Sequence, residues 1–135
     1  MFISETKVRV RYGETDKMGY MYHGNYAQFY EIGRVDALRQ VGLSYKGMEE
    51  EGVMMPVLEI HSKFIKPALY DDEILIRTIM CELPGVRISF DFEMFNEAEE
   101  LIHTATVQLV FVRSSDMRPI RCPESLMSVF NPHFS

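Results

Sequence analysis

The 135-residue sequence contains no tryptophan and only two cysteines, Cys81 and Cys122, which do not form a C-x-x-C pair. That excludes a disulfide-stapled secreted scaffold and a thioredoxin-like redox pair, and it implies a reducing, cytoplasmic setting. Cys81 falls within an apolar strand pattern and reads as a small buried hydrophobe. Long apolar runs are missing too. The longest, Val53–Leu58 and Leu109–Val112, fall far short of a membrane span, and Pro56 breaks the first. Residues Met1 to Lys7 lack the layout of a secretory signal and lead directly into a strand pattern. Basic charge is scarce. Fourteen Lys and Arg stand against 20 Asp and Glu with no cationic cluster, which argues against a nucleic-acid partner.

Several catalytic signatures are absent as well. His23, His61, His103 and His133 show no i, i+4 pairing, so the sequence predicts no metal site. There is no G-x-S-x-G elbow, and no G-x-G-x-x-G or Walker loop. What remains is the composition of an ordinary globular protein, 47% hydrophobic and 25% charged, at a length suited to one domain over residues 1–135.

The apolar pattern changes period along the chain. Thr6, Val8, Val10 and Tyr12 alternate with Lys7, Arg9 and Arg11, predicting a half-buried first strand. Tyr26, Phe29, Tyr30, Gly33, Ala37 and Val41 then recur at helical spacing, predicting one long helix that Gly42 ends. Gly33, inside that apolar stripe, predicts a close approach of another element to the helix backbone. Ser44 is placed to cap a short helix from about Tyr45 to Glu51. Beyond Val57 the period is two. Leu58, Ile60 and Phe64 share a face of the second strand, Pro67 ends it, and Ile74, Ile76, Thr78 and Met80 mark the third. Pro84-Gly85 turns into a fourth strand from Val86 to Met94, and Asn96 to Glu100 turns again into a fifth from Leu101 to Arg113. Pro123 opens a terminal helix through Phe130. The fold class is α+β. One helix cannot cover both faces of a five-stranded antiparallel sheet, so the economical arrangement is a sheet curled around it. The open strand edges then invite a second copy.

The chemistry concentrates between the first strand and the long helix, in Tyr12-Gly13-Glu14-Thr15-Asp16-Lys17-Met18-Gly19-Tyr20-Met21-Tyr22-His23-Gly24-Asn25-Tyr26. Asp16 is a carboxylate in a glycine-containing loop, and the helix start after it carries unpaired backbone N–H groups. Such a pair suits attack on an activated carbonyl. On pattern alone Asp16 also suits a turn, Asn25 a helix cap, and Tyr20, Tyr22 and Tyr26 either packing or an acyl pocket. Lys63, Lys66, Arg87, Arg113, Arg118 and Arg121 suit either cofactor phosphates or a solvated face.

Glu14-Thr15-Asp16-x-x-Gly19, then Tyr22-His23-x-Asn25-Tyr26, then Glu31 and Arg34, resembles the 4-hydroxybenzoyl-CoA thioesterase branch of the hotdog-fold acyl-CoA thioesterases. A weaker echo follows at Lys66-Pro67-Ala68-x-x-Asp71-Asp72-Glu73. The resemblance implies a hotdog fold and hydrolysis of acyl-CoA to free acid and CoA, with no cofactor because coenzyme A is part of the substrate. It implies a homodimer or homotetramer with sites between subunits. It assigns Asp16 as nucleophile or general base, and the amides at His23 and Gly24 as polarisers of the thioester carbonyl. Gly19, Tyr22, Asn25 and Tyr26 are then substrate-binding. Glu31, on the helix as in other hotdog thioesterases, is the alternative base, or else an ion-pair partner of Arg34. A dehydratase or hydratase of the same fold is disfavoured, since no Asn-Pro lies between Asp16 and His23. A non-catalytic acyl-CoA or acyl-carrier-protein binding module is the other alternative.

Overall fold

The computed structural model describes residues 1–134. Five strands form one antiparallel sheet: β1 (Phe2–Arg9), β3 (Val57–Phe64), β4 (Glu73–Met80), β5 (Arg87–Phe95) and β6 (Leu101–Val110), in the order β1-β4-β5-β6-β3. The long helix α1 (Tyr26–Gln40) lies over β1, β4 and β5. A short helix α2 (Tyr45–Glu50) follows it, and α3 (Glu124–Phe130) closes the chain. Three two-residue strands, β2 (Val53–Met54), β7 (Val112–Arg113) and β8 (Arg118–Pro119), form a small second sheet. Among the described residues no helix is long and apolar enough to cross a membrane.

Period-two patterning explains the sheet's inner face. Ile74, Ile76, Thr78 and Met80 on β4 are buried, as are Ile88, Phe90, Phe92 and Met94 on β5. Phe92 pairs in register with Thr78 and Ala105, and Met94 with Ile76 and His103, so one continuous layer faces α1. The helix buries Tyr26, Phe29, Tyr30, Gly33, Ala37 and Leu38 against it. Each large apolar side chain so buried stabilises the fold by about 1.5–3 kcal/mol.

Gly33 lies where helix and sheet come closest. A Cβ there would stand 2.6 Å from Thr78 Oγ1, 3.0 Å from Ile76 Cγ2 and 3.1 Å from Phe92 Cε1. The helix ends as expected. Gly42 takes φ +84° and donates to Arg39 O, while Leu43 donates to Leu38 O, the paired bonds of a Schellman stop. Ser44 Oγ accepts from Gly47 N at 3.0 Å and caps α2.

Several expectations need correction. The first strand begins at Phe2 and ends at Arg9. Tyr12 falls in a 3-10 turn and is exposed, because the chain leaves the β4 ladder at the Arg9–Glu73 pair. The second strand ends at Phe64, three residues before Pro67. The fourth begins at Arg87, leaving Val86 exposed. The fifth is broken at buried Phe111, whose N–H bonds Val86 O and whose carbonyl accepts from Ile120, so the chain passes from the large sheet to the small one. Cys81 is exposed, since β4 ends at Met80; the buried cysteine is Cys122, whose thiol burial pushes up to about 11.

Candidate active site

The Asp16 loop is tied down on three sides. Asp16 N donates to Tyr20 O (2.8 Å) and Gly19 N to Asp16 O (3.0 Å), a tight turn for which Gly19 adopts φ +78°. Bridges join Thr15 to Met21 and Tyr20 to Leu69, and Met21 N donates to Ala68 O (2.7 Å). The Lys66-Pro67-Ala68 segment therefore docks directly on the loop. Glu14 anchors the third side. Its carbonyl accepts both Tyr22 N (2.8 Å) and Asn25 Nδ2 (3.0 Å). Its buried carboxylate accepts from Arg11 N and Arg11 Nη2. Burial opposes that charge, but the hydrogen bonds and cation of Arg11 hold the Glu14 carboxyl below its usual range.

Half-buried Asp16 keeps one oxygen occupied and one open. Oδ1 accepts Met18 N (2.9 Å) and Tyr20 N (3.3 Å), while Oδ2 accepts no hydrogen bond among the described residues. The loop thus fixes the carboxylate without saturating it. At the helix start, His23–Asn25 forms a 3-10 turn. Asn25 N donates to Tyr22 O and Tyr26 N to His23 O, leaving the amides of His23 and Gly24 without a backbone acceptor among the described residues.

Asp16 and His23 line one cavity of about 270 Å³. Met18, Tyr20 and Met21 wall it from the loop, Tyr26 from α1, and Phe64, Ile65, Lys66 and Pro67 from the end of β3. The side chain of Tyr26 is buried, and burial raises its hydroxyl above the usual phenol range. Asp16 also borders a second depression, of about 590 Å³, with Tyr12, Thr15, Lys17, Gly19 and Tyr70.

Other residues of the motif are placed differently. Tyr22 lies outside the cavity, its ring 4.4 Å from that of His23 and against Gly24. Gly24 does not line the cavity and Gly19 borders only the second depression. Asn25 makes no side-chain cap to α1, because its amide is used to clamp the loop at Glu14 O. Glu31 is exposed on α1, away from the cavity, and forms no ion pair with Arg34, whose Nε donates to Tyr45 Oη at 3.1 Å. Lys66 reaches the cavity with its charge engaged by Glu100, and Arg113 and Arg118 pair with Asp116. Among the described residues no group of three His, Cys, Asp or Glu could hold a metal ion.

The sequence alone does not mark Met18, Met21, Phe64 and Ile65 as cavity walls. The one available signal was the Lys66-Pro67-Ala68 echo next to Phe64 and Ile65. A buried cluster behind them, Tyr30 with Ser62 and His103, also went unmarked, although His103 sits at an inward register position of β6.

A family model of the thioesterase-like superfamily matches residues 10–130. The chain belongs to the thioesterase-like superfamily. With that membership it is a thioester hydrolase of hotdog fold. The acyl-CoA thioester hydrolase YbgC of Escherichia coli is 32% identical over 123 residues, 91% of this chain and 92% of YbgC. YneP of Bacillus subtilis is 33% identical over 121 residues, 90% of this chain and 88% of YneP. The crystal structure of DHNA-CoA thioesterase from Staphylococcus aureus superimposes with a TM-score of 0.93 at 32% identity, over 98% of this chain and 91% of that one. The superfamily match spans the Asp16 loop, the helix start and the end of β3.

Proposed function

We propose that this thioesterase-like protein hydrolyses an acyl-CoA thioester to a free acid and CoA, with Asp16 as nucleophile or general base. The observation that carries this is the half-occupied Asp16 carboxylate, with Oδ2 open among the described residues, on the same cavity as His23 at the helix start. As a base, Asp16 takes a proton from water, and the hydroxide adds to the thioester carbon. As a nucleophile, its oxygen adds there itself and yields a mixed anhydride that water then cleaves. In both routes the carbonyl oxygen gains negative charge, which in this proposal the free amides at His23 and Gly24 stabilise, aided by the α1 dipole. The C–S bond then breaks and the thiolate of CoA leaves, protonated by Asp16 in the general-base route and by solvent in the nucleophilic one. A thioester carries its own leaving group, with a thiol pKa of about 8.5, so the reaction as proposed uses no metal or redox cofactor. Tyr20, Tyr26, Phe64 and Met21 supply an apolar wall for the acyl group.

Free-thiol release from a panel of acyl-CoAs tests the reading, with steady turnover on at least one member as the expected result. Binding without release would make the protein a carrier or sensor of acyl-CoA. A rise in absorbance from a new enoyl product would point to the dehydratase alternative.

The second part of the proposal is assembly as a homodimer or homotetramer in the cytoplasm. All of edge strand β3 is exposed, including Ile60 and Phe64, the register partners of inward Val107 and His103, and Phe64 and Ile65 also wall the cavity. A partner copy against this edge would pair its free backbone groups and cover the open side of the site. Light scattering at micromolar concentration should give at least twice the 15.7 kDa chain mass. An active species at the single-chain mass would contradict it.

A further inference from the structure

The inward side chains of β6 that follow its start are His103, Ala105, Val107 and Leu109. Three are apolar. His103 is fully buried, and among the described residues its Nδ1 has no hydrogen-bond partner. An aliphatic side chain there would fill the same space without burying an unpaired nitrogen, so the histidine works against stability. Burial also pushes its imidazole down to about 4, which keeps the ring neutral at physiological pH.

What the imidazole touches is specific. Its Nε2 lies 2.5 Å from the hydroxyl of Tyr30, on α1, and that hydroxyl lies 2.6 Å from Ser62 Oγ, on β3. One face of the ring stacks on Tyr26, with centroids 4.3 Å apart and planes 24° apart. Phe64, its register partner on β3, meets it edge-on at 4.7 Å and 77°. Tyr26 and Phe64 are themselves in edge contact at 4.9 Å. Both are walls of the candidate acyl cavity. The helix packs chiefly on β1, β4 and β5, so this network is the polar tie between α1 and the edge strand that completes the cavity.

We propose that His103 is a positioning residue, held by Tyr30 and Ser62, whose ring fixes the spacing of Tyr26 and Phe64 and thereby sets which acyl groups enter. This rests on the acyl-CoA reading above. Among the described residues Tyr30, Ser62 and His103 make no hydrogen bond to Asp16 or to the helix-start amides, so the network acts on acyl fit and not on the reacting carbon.

The test compares acetyl-, hexanoyl-, benzoyl- and lauroyl-CoA with the wild type, Tyr30→Phe, His103→Phe and Ser62→Ala. The readout is the ratio of kcat/KM between the bulkiest and the smallest acyl groups that the wild type hydrolyses. Tyr30→Phe keeps its ring and loses both hydrogen bonds. The ratio should move by about 10-fold or more, through KM, with kcat on the smallest member within about twofold. His103→Phe should move it equally while its denaturation midpoint stays at or above that of the wild type, a result that a purely structural histidine would not give. Ser62→Ala, at an exposed strand position, should move it about threefold in the same direction. A ratio unmoved in Ser62→Ala and in whichever other variants fold overturns the proposal. So does a uniform fall in kcat across all acyl groups. A wild-type protein that releases no thiol from any member refutes the acyl-CoA reading itself, and this inference with it. Wild-type turnover with an unmoved ratio removes only the role of His103.

Discussion

Asp16→Asn is expected to lower kcat/KM for thioester hydrolysis by ~10²-fold or more while leaving the fold intact. The substitution keeps the side chain's shape. Its amide oxygen can still accept from Met18 N and Tyr20 N, the two bonds that Oδ1 makes now, so the loop keeps its turn. What changes is the atom at the open Oδ2 position, which becomes an NH2 group. That group cannot take a proton from water and cannot attack a carbonyl. The general-base and nucleophilic routes therefore fail together, and the variant does not need to distinguish them. Residual turnover comes from the helix-start amides and from binding, which the substitution does not touch. Glu31→Gln is the matched control. Glu31 is exposed, off the cavity and unpaired with Arg34, so its turnover should stay within about twofold. Steady-state kinetics of the two purified variants, with circular dichroism to confirm folding, decide the assignment. Near-wild-type rates in Asp16→Asn with loss in Glu31→Gln would move the base from the loop to the helix.

The parts of the fold legible in the sequence are those in which a single period governs a whole segment. Ile74 to Met80 and Ile88 to Met94 alternate because one sheet face meets α1 and the other does not, and the structure buries those residues. The Gly42 stop and the Ser44 cap were legible because backbone geometry demands particular residue types there. Where two continuations share one pattern, the sequence is silent. Leu109 to Val112 reads as uninterrupted strand whether or not the chain changes sheets at Phe111. The transfer depends on Val86 and Ile120, distant in sequence, as the partners of Phe111. Cys81 continues an apolar run, yet its burial depended on where β4 loses its neighbours, which is a tertiary fact.

The site divides in the same way. The loop motif marked Asp16 and the helix start because their chemistry is local, a carboxylate in a turn and amides that a helix cannot satisfy. Asn25 looked like a cap because Asn is a good one, but the competing acceptor was Glu14 O, eleven residues earlier and brought close by the turn. Phe64 and Ile65 carry no local signature as cavity walls, since an alternating strand end looks alike whether it faces a ligand or a core. His103 is the extreme case. One histidine in an apolar strand gives no hint that Tyr30 and Ser62 meet it, or that Tyr26 and Phe64 flank it.

Gly33→Leu should give the largest loss of stability. Glycine inside a helix costs about 1 kcal/mol relative to alanine, so its presence within the buried stripe of α1 requires a compensating reason. The sheet supplies one. The first atom of any side chain at position 33 would lie 2.6 Å from Thr78 Oγ1, with Ile76 and Phe92 near 3 Å. None of these can yield easily. Thr78 and Ile76 are β-branched residues of a central strand, fully packed, and Phe92 is held in register between Thr78 and Ala105. Even Gly33→Ala should therefore lower stability, since overpacking costs about 1–3 kcal/mol and outweighs the propensity gain. Leucine adds three more carbons to the same space and should cost more than the upper end of that range, or prevent folding at 37 °C. Where the variant does fold, α1 must lift from β4. That displaces Tyr26 and the amides at its start, so hydrolysis falls with stability. Thr78→Ala removes the nearest atom and should recover part of the loss in the Gly33→Ala background, a coupling that distant sites do not show. Urea denaturation of the single and double variants measures all three terms. A midpoint for Gly33→Ala at or above that of the wild type would mean that helix propensity, and not the approach of β4, governs this position.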